Sequence, residues 1–231
     1  KTKTLTATLQ PSTVSQKTVT WKSSNKNIAK ISKKGVVTAV KAGTVTITCT
    51  SSDGNVKTTC KVTVNQPATG ISLSKKTLSV KEGKISALVA TVKPADTTNS
   101  KITWTSSNTK VATVDSSGVV KGIKKGTATI TARTVSGGKT ATCKVTVIKS
   151  VTGISLNKTT LTINVGKKSV ITPNIKPSDA SNKNVTWTSS NYDVADVTKD
   201  GQVIAKAPGY AVITAKTNDG GFKASCDVLV V

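Results

Sequence analysis

The nine residues KNVTWTSSN at Lys183 to Asn191 occur twice more, as KTVTWKSSN at Lys17 to Asn25 and as SKITWTSSN at Ser100 to Asn108. Their tryptophans, Trp21, Trp104 and Trp187, stand 83 residues apart with no slippage. The same interval separates Pro11, Pro94 and Pro177, then Gly35, Gly118 and Gly201, then Cys60, Cys143 and Cys226. A period that long exceeds the roughly 20 to 50 residues of stacked-repeat architectures, so each copy reads as a domain. Three are predicted, over residues 1–66, 67–149 and 150–231. The first joins late, since Lys1 aligns with Lys84 and the chain holds no counterpart of Thr69 to Gly83.

The middle copy is complete and predicts the elements. Gly70 to Leu73 and Thr77 to Val80 read as a split first strand, and Ile85 to Val92 as one alternating strand ended by Pro94. Ile102 and Trp104 share a face of the next strand, which places the indole between two sheets. Asp115-Ser116-Ser117-Gly118 and Gly137-Gly138 are hairpin signals flanked by Val-rich and Thr-rich runs. With 35% hydrophobic residues, 3% aromatic ones and Thr, Ser and Val dominant, the chain is predicted all-β. Short alternating strands with turns between them describe tandem immunoglobulin-like antiparallel β-sandwiches. Joins without Gly/Ser-rich spacers, at Val64 to Thr69 and Val147 to Thr152, predict that the modules are arranged as a rod.

These residues carry a family resemblance. TGISL at Thr69 to Leu73 and Thr152 to Leu156, VTWTSSN, VATVDSSGVV at Val111 to Val120, GTATITA at Gly126 to Ala132 and CKVTV at Cys143 to Val147 resemble the bacterial Ig-like domain of group 2. Three copies cover essentially the whole chain. The resemblance implies an extracellular module, on the bacterial cell surface or secreted, as found in adhesins, surface-layer proteins, spacers beside carbohydrate-active enzymes and phage structural proteins. It implies a stalk or adhesive role in cell adhesion or attachment, with a host surface receptor as one kind of partner. The alternatives it leaves are an accessory module of a secreted enzyme and a subunit of an extracellular filament or phage particle.

Charge narrows the partners. The chain holds 34 Lys and Arg against 10 Asp and Glu, a net +24. Residues 1–66 carry +10, residues 67–149 carry +11 and residues 150–231 only +3. Such a field attracts polyanions, here an anionic cell-wall polymer or an acidic glycan. Lys22, Lys26, Lys30, Lys33, Lys34 and Lys41, with Lys121, Lys124 and Lys125, form the candidate polyanion stripe. The other reading of these lysines is solubility and protection of sheet edges. Nucleic acid is not expected, because Arg133 is the lone arginine and stacking aromatics are scarce. Membrane insertion is not expected either, since no run approaches the ~18 apolar residues of a span.

Catalysis has little to work with: the chain has no His and one Glu, so no base near neutrality waits beside a nucleophile. No cofactor is expected and no metal, since no cysteine cluster has metal-ligand spacing. Asp193, Asp196 and Asp200 read as turn residues, with calcium the weaker alternative. A two-residue turn at Gly54-Asn55 would set Cys49 directly opposite Cys60, making them the candidate disulfide. The missing first strand leaves an open edge and an uncovered strip near Leu5, Ala7 and Leu9. Truncation inside the domain explains it, and so does strand donation from another chain to the first domain.

Overall fold

Thr and Val alternate through the long strands, and the backbone follows them into sheets with no helix among the described residues. The computed structural model describes residues 1–13, 15–52 and 56–231. The first repeat forms β1 (Thr2–Thr4), β2 (Val19–Ser23), β3 (Ala29–Ile31), β4 (Val36–Ala39), β5 (Gly43–Ser51) and β6 (Lys57–Val64). The second forms β7 (Gly70–Leu73), β8 (Thr77–Lys81), β9 (Ile85–Ala87), β10 (Ala90–Lys93), β11 (Ile102–Ser106), β12 (Ala112–Val114), β13 (Val119–Gly122), β14 (Gly126–Thr134) and β15 (Thr140–Ile148). The third forms β16 (Gly153–Leu156), β17 (Thr160–Ile163), β18 (Lys168–Val170), β19 (Pro173–Lys176), β20 (Val185–Ser189), β21 (Ala195–Val197), β22 (Gln202–Ala205), β23 (Gly209–Thr217) and β24 (Lys223–Val230).

By internal contacts the chain divides into two compact units. One comprises Lys1–Ser74, Val89–Trp104 and Thr131–Thr142 and contains the first repeat whole. The other comprises Lys75–Leu88, Thr105–Ile130 and Cys143–Val231 and contains the third repeat whole.

The third repeat shows the complete architecture. One sheet runs β17-β24-β23-β20, a second runs β18-β22-β21, and β16 pairs with β19 in a short ribbon. Along β23 every second residue, Ala211, Ile213, Ala215 and Thr217, is buried. Ala211 and Ile213 cluster with Cys226 and Val228 from β24 and with Ala195 and Val203 from the other sheet, so the core lies between the two layers. Full burial of one such Ile or Val stabilises the fold by roughly 1.5 to 3 kcal/mol. Trp187 packs against this cluster but stays partly exposed, so the indole borders the core rather than filling it.

Two features depart from the expected arrangement. The split first strand is present, but its second half pairs parallel: Leu161 of β17 lies beside Val228 of β24, and Leu78 of β8 beside Val145 of β15. The sandwich is therefore not wholly antiparallel. The alternating run after it is two strands in two sheets, with β18 on β22 and β19 on β16. The crossing falls at Ile171, which is fully buried and donates its N–H to the carbonyl of Gly201. In the second repeat Leu88 donates to Gly118 in the same way. A single alternating pattern serves both sheets because each half keeps its apolar face inward.

Candidate functional site

The recurring Ser-Ser-Asn is consumed by the fold. In the first repeat Ser23 is buried and its hydroxyl donates to the carbonyl of Ala29 at 2.7 Å, tying β2 to the start of β3. Ser106 does the same to Ala112 at 2.7 Å. The second serine clamps the neighbouring strand. Ser190 N–H donates to Val212 O at 2.9 Å, while Val212 N–H donates to Ser190 Oγ at 2.8 Å. Ser24 holds Thr46 and Ser107 holds Thr129 with the same pair of bonds. The asparagine then closes the turn, Oδ1 of Asn25, Asn108 and Asn191 accepting from the backbone two residues on.

This turn builds a cleft in the first repeat. Trp21, Lys22 and Ser23 from β2, Lys26 from the turn, and Lys30 and Ile31 from β3 enclose about 330 Å³. All three lysines are exposed and Trp21 is half-buried. Among the described residues none of the three ammonium groups forms an ion pair. The structure thus brings together three of the nine stripe lysines. Lys33 and Lys34 lie instead in the hairpin between β3 and β4, and Lys41 in the turn before β5. Lys121 stands on β13, and Lys124 and Lys125 in the turn after it, where Lys125 Nζ donates to the carbonyl of Asp179 at 2.8 Å. Trp21, expected in the core alone, also lines this cleft, and Ser23 and Ile31 join it as walls that the alternation does not point to. The missed signal was the period itself, because Lys22, Lys26 and Lys30 align with Thr105, Thr109 and Thr113 and with Thr188, Tyr192 and Asp196.

The candidate disulfide is corrected. Cys49 pairs with Thr58 and Cys60 with Ile47, and all four cysteines are free thiols. The expected turn residues Gly54 and Asn55 lie outside the described residues. The register follows from a loop two residues longer, since Ser51 N–H donates to Val56 O. The third repeat closes with the same spacing, Thr217 N–H donating to Phe222 O across four residues that include Gly220 and Gly221 at φ of +84° and +66°. Diagonal cross-strand neighbours stand roughly 7 to 8 Å apart, well beyond the ~3.8 Å that a disulfide spans between Cβ atoms. Burial pushes the thiols of Cys49, Cys143 and Cys226 above the ordinary range, so each stays protonated.

The acidic residues of the third repeat do not converge. Lys206 hydrogen-bonds Asp196, their charged ends 3.0 Å apart; with the N–H of Val197 this holds the Asp196 carboxyl below the usual carboxylate range. Among the described residues no group of three His, Cys, Asp or Glu side chains is placed to hold a metal ion. Among the described residues no helix is long and apolar enough to cross a membrane.

The first repeat also carries a groove. Its main sheet has three strands, β2-β5-β6, where the third repeat has four. Among the described residues no strand lies beyond β6 in the place that β17 takes beside β24. A groove of about 420 Å³ opens there, lined in part by Leu5, Ala7, Leu9, Trp21, Cys49 and Cys60. Along that edge Cys60, Val62 and Val64 are half-buried. Their counterparts Cys226, Val228 and Val230 are at most 2% exposed.

The bacterial Ig-like domain (group 2) matches this chain three times, over residues 1–62, 67–145 and 150–228. The chain belongs to that family. Its Ig-like repeats are 38% identical over 165 residues to an uncharacterised protein of Clostridium acetobutylicum, covering 71% of this chain and 17% of that one. They are 38% identical over 149 residues to an Ig-like virion protein of Serratia phage KSP90, covering 62% of this chain and 58% of the phage protein. An α-L-arabinofuranosidase of Bifidobacterium longum is 40% identical over 115 residues, 47% of this chain and 10% of the enzyme. The Ig-like chain thus spans less than two thirds of each of these relatives. It is a non-catalytic Ig-like module of the kind that occurs in both virion proteins and glycosidases.

Proposed function

We propose that this chain is a segment of a bacterial surface or secreted protein, its Ig-like modules serving as a stalk or adhesive region in cell attachment. The observation that carries the reading is how the recurring polar residues are spent. Ser-Ser-Asn is engaged with backbone in every repeat, so what repeats is scaffold and what varies is exposed charge. A scaffold copied with a varying surface suits a spacer that presents or holds other groups. The relatives in a virion protein and a glycosidase support a place outside the cell.

A second reading is a virion component, favoured by the Serratia phage protein, of which the chain covers 58%. A third is an accessory module of a secreted enzyme, favoured by the arabinofuranosidase. Antibodies raised against residues 1–231 test these together. Labelling of intact cells of the producing strain supports the surface segment, labelling of purified phage particles supports the virion component, and recovery only in the medium with a glycosidase supports the accessory module. Signal confined to permeabilised cells contradicts all three.

A further inference from the structure

We propose that the cleft between β2 and β3 binds the anionic sugar units of an acidic polysaccharide. Lys22, Lys26 and Lys30 would take the carboxylate or sulfate, and the face of Trp21 the ring. Three observations converge on it. The fold does not require lysine there, because the aligned positions are Thr105, Thr109 and Thr113 in one repeat and Thr188, Tyr192 and Asp196 in the other. The three lysines line one concavity of about 330 Å³, within the roughly 300 to 1,000 Å³ of small-ligand sites. None of them is neutralised by a carboxylate among the described residues. Elsewhere Lys206 engages Asp196 and Lys149 engages Asp179, each at 3.0 Å.

Three like charges around one cleft repel each other, and a bound anion relieves that repulsion. The walls choose among anions. Trp21 and Ile31 line the cleft together with the three lysines, a pairing of apolar and cationic groups that matches a pyranose ring, apolar on its C–H face and charged at its substituent. A nucleic acid would call for several stacking aromatics and Arg forks. The cleft has one indole and no arginine. This site is independent of where the parent protein resides.

The test uses the full chain with polygalacturonate, dextran sulfate, neutral dextran and single-stranded oligothymidylate as probes at low ionic strength. Lys22→Thr, Lys26→Thr and Lys30→Thr together install residues that the second repeat already carries. Lys101→Thr, Lys110→Thr and Lys139→Thr remove the same charge from exposed positions elsewhere. The cleft variant should lose about tenfold in affinity for the acidic polysaccharide, and the control less than about twofold. The tighter of the carboxylate and sulfate arms identifies the group bound, and neutral dextran should not bind. In the unmodified chain the indole N–H signal of Trp21 should shift on binding, a readout that needs no variant. Equal losses in the two variants, an unmoved Trp21 signal, no binding to either acidic polysaccharide, or tighter binding to oligothymidylate would each overturn the proposal.

Discussion

Gly201 lies so close under Trp187 that a Cβ added to it would stand 2.8 Å from the indole Cζ2 and 2.3 Å from the carbonyl oxygen of Ile171. Its φ is +79°. Gly35 repeats the relationship, its Cβ position lying 2.3 Å from the carbonyl of Leu5 and 3.4 Å from Trp21 Cζ2. In the first and third repeats the periodic Trp and Gly seen in the sequence are thus two sides of one contact, in which the hairpin backbone must pass directly beneath the indole.

Gly201→Ala should therefore destabilise the third repeat by about 3 kcal/mol or more, combining backbone strain with overlap against fixed neighbours. Gly166 has nearly the same φ, +78°, with nothing within 4 Å of an added Cβ. Gly166→Ala should cost only the backbone term, about 1 kcal/mol. Urea unfolding of the full chain compares the two, and equal losses would mean that contact with Trp187 is not what demands glycine.

Ser190→Ala removes the hydroxyl that accepts from Val212 N–H at 2.8 Å. A loss of about 1 kcal/mol is expected in urea unfolding, the usual cost of one intramolecular hydrogen bond. Lys183→Ala, at an exposed position in the same nine-residue stretch, should change stability by less than about 0.5 kcal/mol. A larger effect at Lys183 than at Ser190 would contradict the clamp.

Asp196 supplies a pH signature. Its carboxyl is depressed first by the hydrogen bond from Lys206 and then by that from Val197 N–H. A lowered folded value means that the group's contribution is complete above the unfolded value of about 3.9 and is lost as pH falls through the folded one. Asp196→Asn should be slightly less stable than the parent at neutral pH, by less than about 1 kcal/mol because the pair is largely solvated. That gap should close in acid. A gap that widens as pH falls would reverse the assignment.

Strand positions were legible because alternation and turn residues are local, and the period of 83 residues gave three readings of each element. Pairing was less legible. The parallel contact of Leu161 with Val228 joins strands at opposite ends of a repeat, and nothing in either strand's own pattern names its partner. The Cys49 register failed on loop length, which alternation does not encode, although Gly220 and Gly221 aligned with Gly54 and Asn55. The lysine cleft needed β2 and β3 folded back on each other by Ser23. Along the chain Lys22, Lys26 and Lys30 were simply part of a basic run.

The edge of β6 is tested by grafting. Placing a second copy of residues 67–83 directly before Lys1 supplies the aligned first strand, as β8 supplies it to β15. Burying Val62, Val64 and the strip at Leu5 and Leu9 should stabilise the first repeat by about 3 kcal/mol and leave the third unchanged. Scanning calorimetry would register this as an upward shift of one transition, and no shift would mean that the groove is closed by other means.

One Ig-like scaffold is built three times, with its last strand covered in the later repeats and bare in the first. Thiol labelling kinetics test it on the folded chain, since Cys60, Cys143 and Cys226 occupy the same position in the three last strands. Cys60 is half-buried on the groove, whereas Cys143 and Cys226 are 0% exposed. Cys60 should react with a maleimide well before unfolding, Cys143 and Cys226 only as their repeats unfold, and the grafted strand should slow Cys60 to match them. Equal labelling rates at the three cysteines in the ungrafted chain would contradict it.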